Sequence, residues 1–174
     1  MKKMFILSIA AAGIFTSCKK SDSSPSYSMS ANVAGTTKNF NAVTPIAQKV
    51  TVNDVTTITV TGVLSTSTGE SMIIALDNSN GGGPIVAGKY ADSSSLYNLS
   101  ANYIPALGSL FQGGSIVWEL ASATSQPINH FVLNITSISS TSIHGSFSGD
   151  LFSYGDPSAA VKSVTNGSFN AKFQ

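Results

Sequence analysis

Apolar and polar residues alternate with a period of two along most of this chain, and this pattern constrains the fold more than any other feature. In Ser71–Asp77, Met72, Ile74 and Leu76 share one face. Successive side chains of a β-strand point to opposite faces, so such a run predicts a strand with one buried face. Similar runs occur at Val55–Leu64, Ser115–Leu120, Asn129–Ser137, Ser142–Phe152 and in the tail that ends near Phe173.

Residues that favour turns separate these runs, as at Asn53-Asp54 and Thr68-Gly69. Asn166-Gly167 is compatible with a hairpin turn or with a bulge inside one terminal strand. Tyr97–Leu110 is the only candidate for a short helical or irregular segment. Evenly spaced short strands with one buried face predict an all-β fold, either an antiparallel β-sandwich or a small closed barrel of about eight to ten strands.

The first 17 residues have the order of a lipoprotein signal peptide. Lys2 and Lys3 are followed by Met4–Thr16, an apolar stretch of 13 residues. A membrane-spanning helix needs roughly 20 residues, so this stretch predicts a cleaved signal helix. The chain's one cysteine, Cys18, follows directly. We therefore expect cleavage before Cys18 and lipidation of Cys18.

Cysteine suits lipid attachment because its sulfur can carry a diacylglycerol through a thioether, and several acyl chains give stable anchoring. The alternative is an ordinary secretory signal with an incidental cysteine, which Phe15 favours because lipoproteins usually carry leucine there. Structural thiols of secreted domains come in pairs, so a single cysteine favours lipidation. Lys19 and Lys20 after the cysteine leave the periplasmic or surface-facing side undecided.

The predicted organisation is a signal peptide at 1–17, a lipidated flexible tether at 18–28 and a single β-domain at 29–174. From Tyr27 onward the chain has five lysines, seven acidic residues and no arginine, a net charge of −2. Nucleic-acid binding requires a basic patch, so nucleic acid is excluded as a partner. We expect a protein of the cell envelope, lipid-anchored in the outer membrane.

Short glycine and aromatic motifs occur in a fixed order along the domain. They are Gly88-Lys89-Tyr90, Ser100-Ala101-Asn102-Tyr103, Gly114-Ser115-Ile116-Val117, Ile143-His144-Gly145-Ser146-Phe147 and Val164-Thr165-Asn166-Gly167-Ser168-Phe169. With the signal peptide, this order resembles a family of small all-β lipoproteins of the Bacteroidota, over most of the domain from about Asn39. The resemblance implies an all-β lipoprotein and supplies no catalytic residues.

Candidate catalytic and cofactor sites fail on spacing or on partner chemistry. Gly83–Lys89 has the spacing of a phosphate-binding loop, but Tyr90 stands where Ser or Thr is needed, so we expect no nucleotide. His144 and Asp150 lie about 20 Å apart on one strand, too far for direct pairing. Asp77–Gly81 departs from the calcium-loop register. We predict no catalytic residues, no metal and no cofactor.

Aromatic residues in the least regular segment, Tyr97, Tyr103 and Phe111, are the best candidates for ligand contact, since glycans bind on exposed aromatic faces beside polar groups. The sequence predicts a non-catalytic binding or envelope-interaction module, with a glycan or an envelope protein as the possible partner. The alternatives are a structural or assembly component of the envelope and a lipocalin-like carrier of a small ligand. A hydrolase is the least favoured class.

Overall fold

The computed structural model describes residues 26–115, 117, 129–154 and 161–174. The described residues form eleven strands, which confirms the all-β prediction. The strands are β1 (Ser28–Val33), β2 (Thr36–Asn39), β3 (Ile46–Val52), β4 (Val55–Val63), β5 (Ser71–Asp77), β6 (Gly88–Ala91), β7 (Asn98–Ala106), β8 (Ser109–Gly114), β9 (Val132–Ile138), β10 (Ser142–Ser153) and β11 (Val161–Phe173). Three of them, β1 to β3, precede the first predicted run at Val55 and raise the strand number above the expected eight to ten.

The strands form one sheet in the order β2-β1-β11-β3-β4-β5-β7-β8-β10-β9-β6, with β10 also paired to β11. The two longest strands, β10 and β11, pair antiparallel over most of their length. The last residues of β11 pair in parallel with β3, and the last residues of β10 pair with β8. These two short contacts join seven strands into a ring, from which β1–β2 and β9–β6 branch. The fold thus combines features of a sandwich and of a barrel.

The inward faces of the strands form one hydrophobic core. Met72, Ile74 and Leu76 of β5 are at most 1% exposed, as their alternation predicts. Phe147 packs between Phe131 and Phe169, with ring centroids 6.3 and 6.4 Å away. Burying one such side chain contributes about 1.5–3 kcal/mol before entropy is counted. Large apolar side chains therefore pack against one another on the inward faces of the described strands.

A bulge in β11 resolves the alternative left open for Asn166-Gly167. Between Phe147 and Gly149 of β10 the ladder skips one residue, while between their partners Gly167 and Val164 it skips two. Asn166 takes a positive φ of 52° there, a conformation that asparagine tolerates better than most residues. The pair is therefore a bulge within one terminal strand and not a hairpin turn.

The prediction of a helical or irregular segment at Tyr97–Leu110 is wrong. This segment holds β7 and the start of β8, joined by a tight turn at Leu107-Gly108. Its inward residues are Leu99, Ala101 and Tyr103, and the small Ala101 together with Pro105 makes the alternation hard to recognise in the sequence.

Two other predictions fall largely outside the described residues. The run Ser115–Leu120, predicted as a strand, follows β8, which ends at Gly114. Its described residues, Ser115 and Val117, are helical, so the strand prediction is wrong for them, and Ile116 and Trp118–Leu120 lie outside the described ranges. The predicted signal peptide, Cys18 and most of the predicted tether precede residue 26 and also lie outside the described residues. In the described part of the chain, no helix has the length and apolar character needed to cross a membrane.

Candidate functional site

A polar groove on the outer face of β5, β7 and β8 is the best candidate for a ligand site. It has a volume of about 330 Å³, within the range of small-molecule sites. Its lining comprises five polar residues, Asp77, Asn98, Ser100, Gln112 and Ser115, together with Leu99, Gly113 and Val117. We call this site the β7–β8 groove.

Strand alternation places the polar side chains there. Leu99 and Ala101 of β7 face the core, so Asn98 and Ser100 between them face outward. Asp77 is directly opposite Asn98 in the ladder. Gly114, opposite Ser100, has a φ of +112°, and a Cβ at this position would overlap the backbone carbonyl of Leu99. Glycine therefore keeps β8 close against β7 beside the groove.

Hydrogen bonds fix Asp77 and Asn98 in position. Asp77 Oδ1 accepts bonds from the backbone N–H of Ser79 (3.0 Å), the Ser79 hydroxyl (2.5 Å) and Asn98 Nδ2 (3.2 Å). Asn98 Oδ1 accepts a bond from Asn80 Nδ2 at 3.0 Å. Asp77 thus begins an Asx turn in which the strand end, the loop and the neighbouring strand hold one another.

The opposite side of the groove is held in a similar way. Gln112 Nε2 donates to Asn102 Oδ1 at 2.9 Å, and the Ser115 hydroxyl oxygen accepts the backbone N–H of Leu99 at 3.2 Å. Asp77 Oδ2, Gln112 Oε1 and the Ser100 hydroxyl have no hydrogen-bond partner among residues 26–115, 117, 129–154 and 161–174. The groove therefore presents oriented side chains with hydrogen-bonding capacity left for a ligand.

The three aromatic residues proposed for ligand contact lie in two separate places. Tyr97 is half-buried, with its ring 5.0 Å from that of Tyr90, and its hydroxyl donates to the Gly83 carbonyl at 3.3 Å. Tyr103 and Phe111 are ladder partners, about 20 Å along β7 from Tyr97. The three residues therefore do not form one binding edge.

Their exposure also differs. Tyr103 is only 2% exposed and presents no ring face at the surface, since its side chain lies on the core side of β7. Phe111 is half-buried, and Lys162 Nζ lies 4.6 Å from its ring centroid in a cation–π contact. Ligand contact by Tyr97 and Phe111 stays a prediction.

The Tyr103 hydroxyl belongs to a polar cluster at the edge of the core. Tyr103 donates to Glu70 Oε1 at 2.6 Å, and Lys38 Nζ donates to the same oxygen at 2.6 Å. Burial alone would raise the pKa of Glu70, but these two hydrogen bonds outweigh it and hold the pKa below its ordinary value. The bond with Glu70 raises the pKa of Lys38, and burial raises the pKa of Tyr103.

The side chains of His130, His144, Asp92 and Asp150 form contacts within the domain. His130 Nδ1 lies 2.6 Å from Asp92 Oδ1, and Asp92 Oδ2 accepts the backbone N–H of Phe131 at 2.7 Å. Asp92 is 5% exposed and connects the residues after β6 to the residues before β9. His144 Nε2 lies 3.4 Å from the Ser142 hydroxyl, and Asp150 accepts two bonds from Asn129.

In the loop at Asp77–Gly81, the side-chain amide of Asn78 binds backbone groups of neighbouring segments. Asn78 Oδ1 accepts the backbone N–H of Thr56, and Asn78 Nδ2 donates to the carbonyls of Gly82 and Gly83. The glycine-rich segment that follows leads into strand β6, where a phosphate-binding loop would open a helix. In the described ranges no three His, Cys, Asp or Glu side chains come close enough to hold a metal ion together.

Sequence reasoning missed Asn98, Ser100 and Gln112 as site residues. The available signal was a polar residue at every second position of β7, from Asn98 to Asn102, opposite an acidic strand end at Asp77. Comparison with protein-family models gives no match, and no curated protein or solved structure is detectably similar to this chain.

Proposed function

We propose that this protein is an extracytoplasmic lipoprotein, anchored in the outer membrane through acylated Cys18, whose β-domain is a non-catalytic binding module. The anchor is supported by Lys2 and Lys3, the 13-residue apolar stretch and the single cysteine directly behind it. The resemblance to small β-lipoproteins of the Bacteroidota supports the same proposal.

The observation that carries the binding role is the β7–β8 groove. Its polar side chains are oriented by contacts within the domain and retain free hydrogen-bonding capacity, a combination that lowers the entropic cost of binding a ligand. The groove thus provides a defined contact site for a component of the envelope.

A non-catalytic role is supported by the chemistry of the groove lining. Among the described residues that line the groove, Asp77 is the one with an ionisable side chain. General acid–base catalysis and glycoside hydrolysis each use a tuned acid and base, commonly two carboxylates or a histidine with a carboxylate. A single carboxylate held in an Asx turn suits recognition of a ligand.

Binding is tested with the full chain in detergent, immobilised and exposed to envelope extract separated into protein, polysaccharide and lipid fractions. We expect one fraction to be retained by the wild-type chain and to be recovered with unchanged mass. A matched chain with Ser100→Val should retain less of it, because the valine methyl groups enter the groove. Equal retention by both chains, or a ligand whose mass has changed, would contradict the proposal.

A further inference from the structure

We infer that the β7–β8 groove binds a neutral saccharide of one or two sugar rings and recognises it through its hydroxyl groups. The inference rests on the proposed function and adds the chemical class of the ligand. It is carried by three features of the groove: its complementary hydrogen-bonding groups, its rigidity and its charge.

The free hydrogen-bonding groups match sugar hydroxyls. A sugar hydroxyl donates one hydrogen bond and accepts others. Asp77 Oδ2 and Gln112 Oε1 can only accept, and both lack a partner in the described part of the chain. The Ser100 hydroxyl can donate or accept, and the Ser115 hydroxyl, whose oxygen accepts the Leu99 N–H, keeps its proton to donate. Neighbouring hydroxyls of one ring therefore meet acceptors and donors in the same groove.

The groups are held before any ligand arrives. Ser79 and Asn98 bind one carboxylate oxygen of Asp77. Because the carboxylate group is planar, the direction of its other oxygen is fixed as well. Gln112 is fixed through its amide nitrogen by Asn102. Each side chain therefore loses little rotamer freedom on binding. This matters for a saccharide, since its hydroxyls are equally well solvated in water and each hydrogen bond contributes a small net free energy.

The charge and the volume of the groove restrict the class of saccharide that it can bind. Asp77 is the one ionisable residue in the described part of the lining, and the groove has a volume of about 330 Å³. The Asp77 carboxylate repels sulfated sugars, uronic acids and phosphates, because like charges brought close together interact unfavourably. The volume is at the lower end of the range for small-molecule sites, which fits one or two rings better than a long segment of a polymer.

The test uses the full chain in detergent and an array of neutral, uronic-acid-containing and sulfated oligosaccharides. Hits are titrated by calorimetry with wild type, Ser100→Val, Gln112→Ala and the control Ser146→Val. Ser146 is an exposed serine in the middle of β10 with no side-chain hydrogen bond among the described residues, so its change tests the effect of valine on the sheet. Circular dichroism and thermal unfolding establish that each variant folds.

We expect a neutral oligosaccharide to bind, with affinity reduced at least about tenfold by Ser100→Val and by Gln112→Ala and unchanged by Ser146→Val. Binding only of anionic oligosaccharides, or equal binding by Ser100→Val and wild type, would overturn the inference. Absence of any oligosaccharide hit, with a protein or lipid fraction still retained in a Ser100-dependent way, would overturn the saccharide class and leave the binding module standing. Absence of both oligosaccharide binding and Ser100-dependent retention of a protein or lipid fraction would overturn the binding module as well.

Discussion

Glu70 shows how single residues far apart in sequence determine local stability. It lies just before β5 and receives hydrogen bonds from Lys38 of β2 and Tyr103 of β7. Its side chain is 14% exposed, so an unpaired carboxylate there would be costly. The cluster connects three parts of the sheet at one oxygen atom.

The pH dependence of stability follows from Glu70. Its folded pKa lies below the ordinary value of 4.5, so its contribution is present above that value and is lost as the pH falls through the folded pKa. We expect the free energy of unfolding to decrease below about pH 4.5. Glu70→Gln should be destabilised by about 1–3 kcal/mol near neutral pH and should show a weaker decrease in acid.

Urea unfolding at neutral and acidic pH measures this effect. Asp54→Asn is the matched control, because Asp54 lies in an exposed turn with a positive φ of 67° that asparagine accepts. The control should keep the wild-type acid dependence. An acid dependence in Glu70→Gln equal to that of wild type would contradict the role of Glu70.

At the residue scale, the sequence identified Tyr103 as a residue of interest but did not predict its surroundings correctly. Tyr103 was expected at a binding edge, but its partners Lys38 and Glu70 are 65 and 33 positions away in the chain. Burial of a tyrosine depends on which strands become neighbours, and this is decided by tertiary pairing. Met72, Ile74 and Leu76 could be predicted because their alternation within one strand is sufficient.

At the scale of elements, the β11 bulge is the most specific local feature. It allows the strand to keep Val164 and Phe169 buried on the core side although an extra residue lies between them. Asn166 supplies the positive φ that the bulge requires. The sequence left hairpin and bulge open, since Asn-Gly is compatible with both and only the pairing of β11 with β10 and β1 distinguishes them.

Substitutions at Asn166 test this element. Asn166→Val should be destabilised by about 1–3 kcal/mol, because a β-branched residue is strained at positive φ. Asn166→Gly should change the free energy of unfolding by less than about 1 kcal/mol, because glycine adopts this conformation freely. Both values come from urea unfolding. Equal stability of the valine and glycine variants would show that the bulge does not constrain position 166.

At the scale of the whole molecule, ring closure depends on two contacts of a few residues each. Lys172 and Phe173 meet β3, and Phe152 and Ser153 meet β8. The alternating runs predicted an all-β domain. The pattern within a strand, however, does not predict which distant strand pairs with its last residues. The sandwich and barrel alternatives were therefore both reasonable from sequence, and the structure combines them.

The order of the strands in the sheet also explains why the groove could not be recognised from the sequence. Asp77, Ser100 and Gln112 come from three strands, and each resembles an ordinary solvent-facing residue of its own strand. Only the order β5-β7-β8 brings them together. The proposed anchoring differs in this respect, because the predicted signal peptide and Cys18 are adjacent in sequence and can be interpreted without a fold.

The most direct test of the central proposal, a β-domain held at a membrane by lipidated Cys18, is the distribution of the protein between membrane and soluble fractions. We expect the wild-type chain and the tether control Ser21→Ala to sediment with membranes and to be released by detergent. Cys18→Ser should be soluble, because the thioether cannot form. Continued sedimentation of Cys18→Ser with membranes, at the wild-type level, would contradict the proposal.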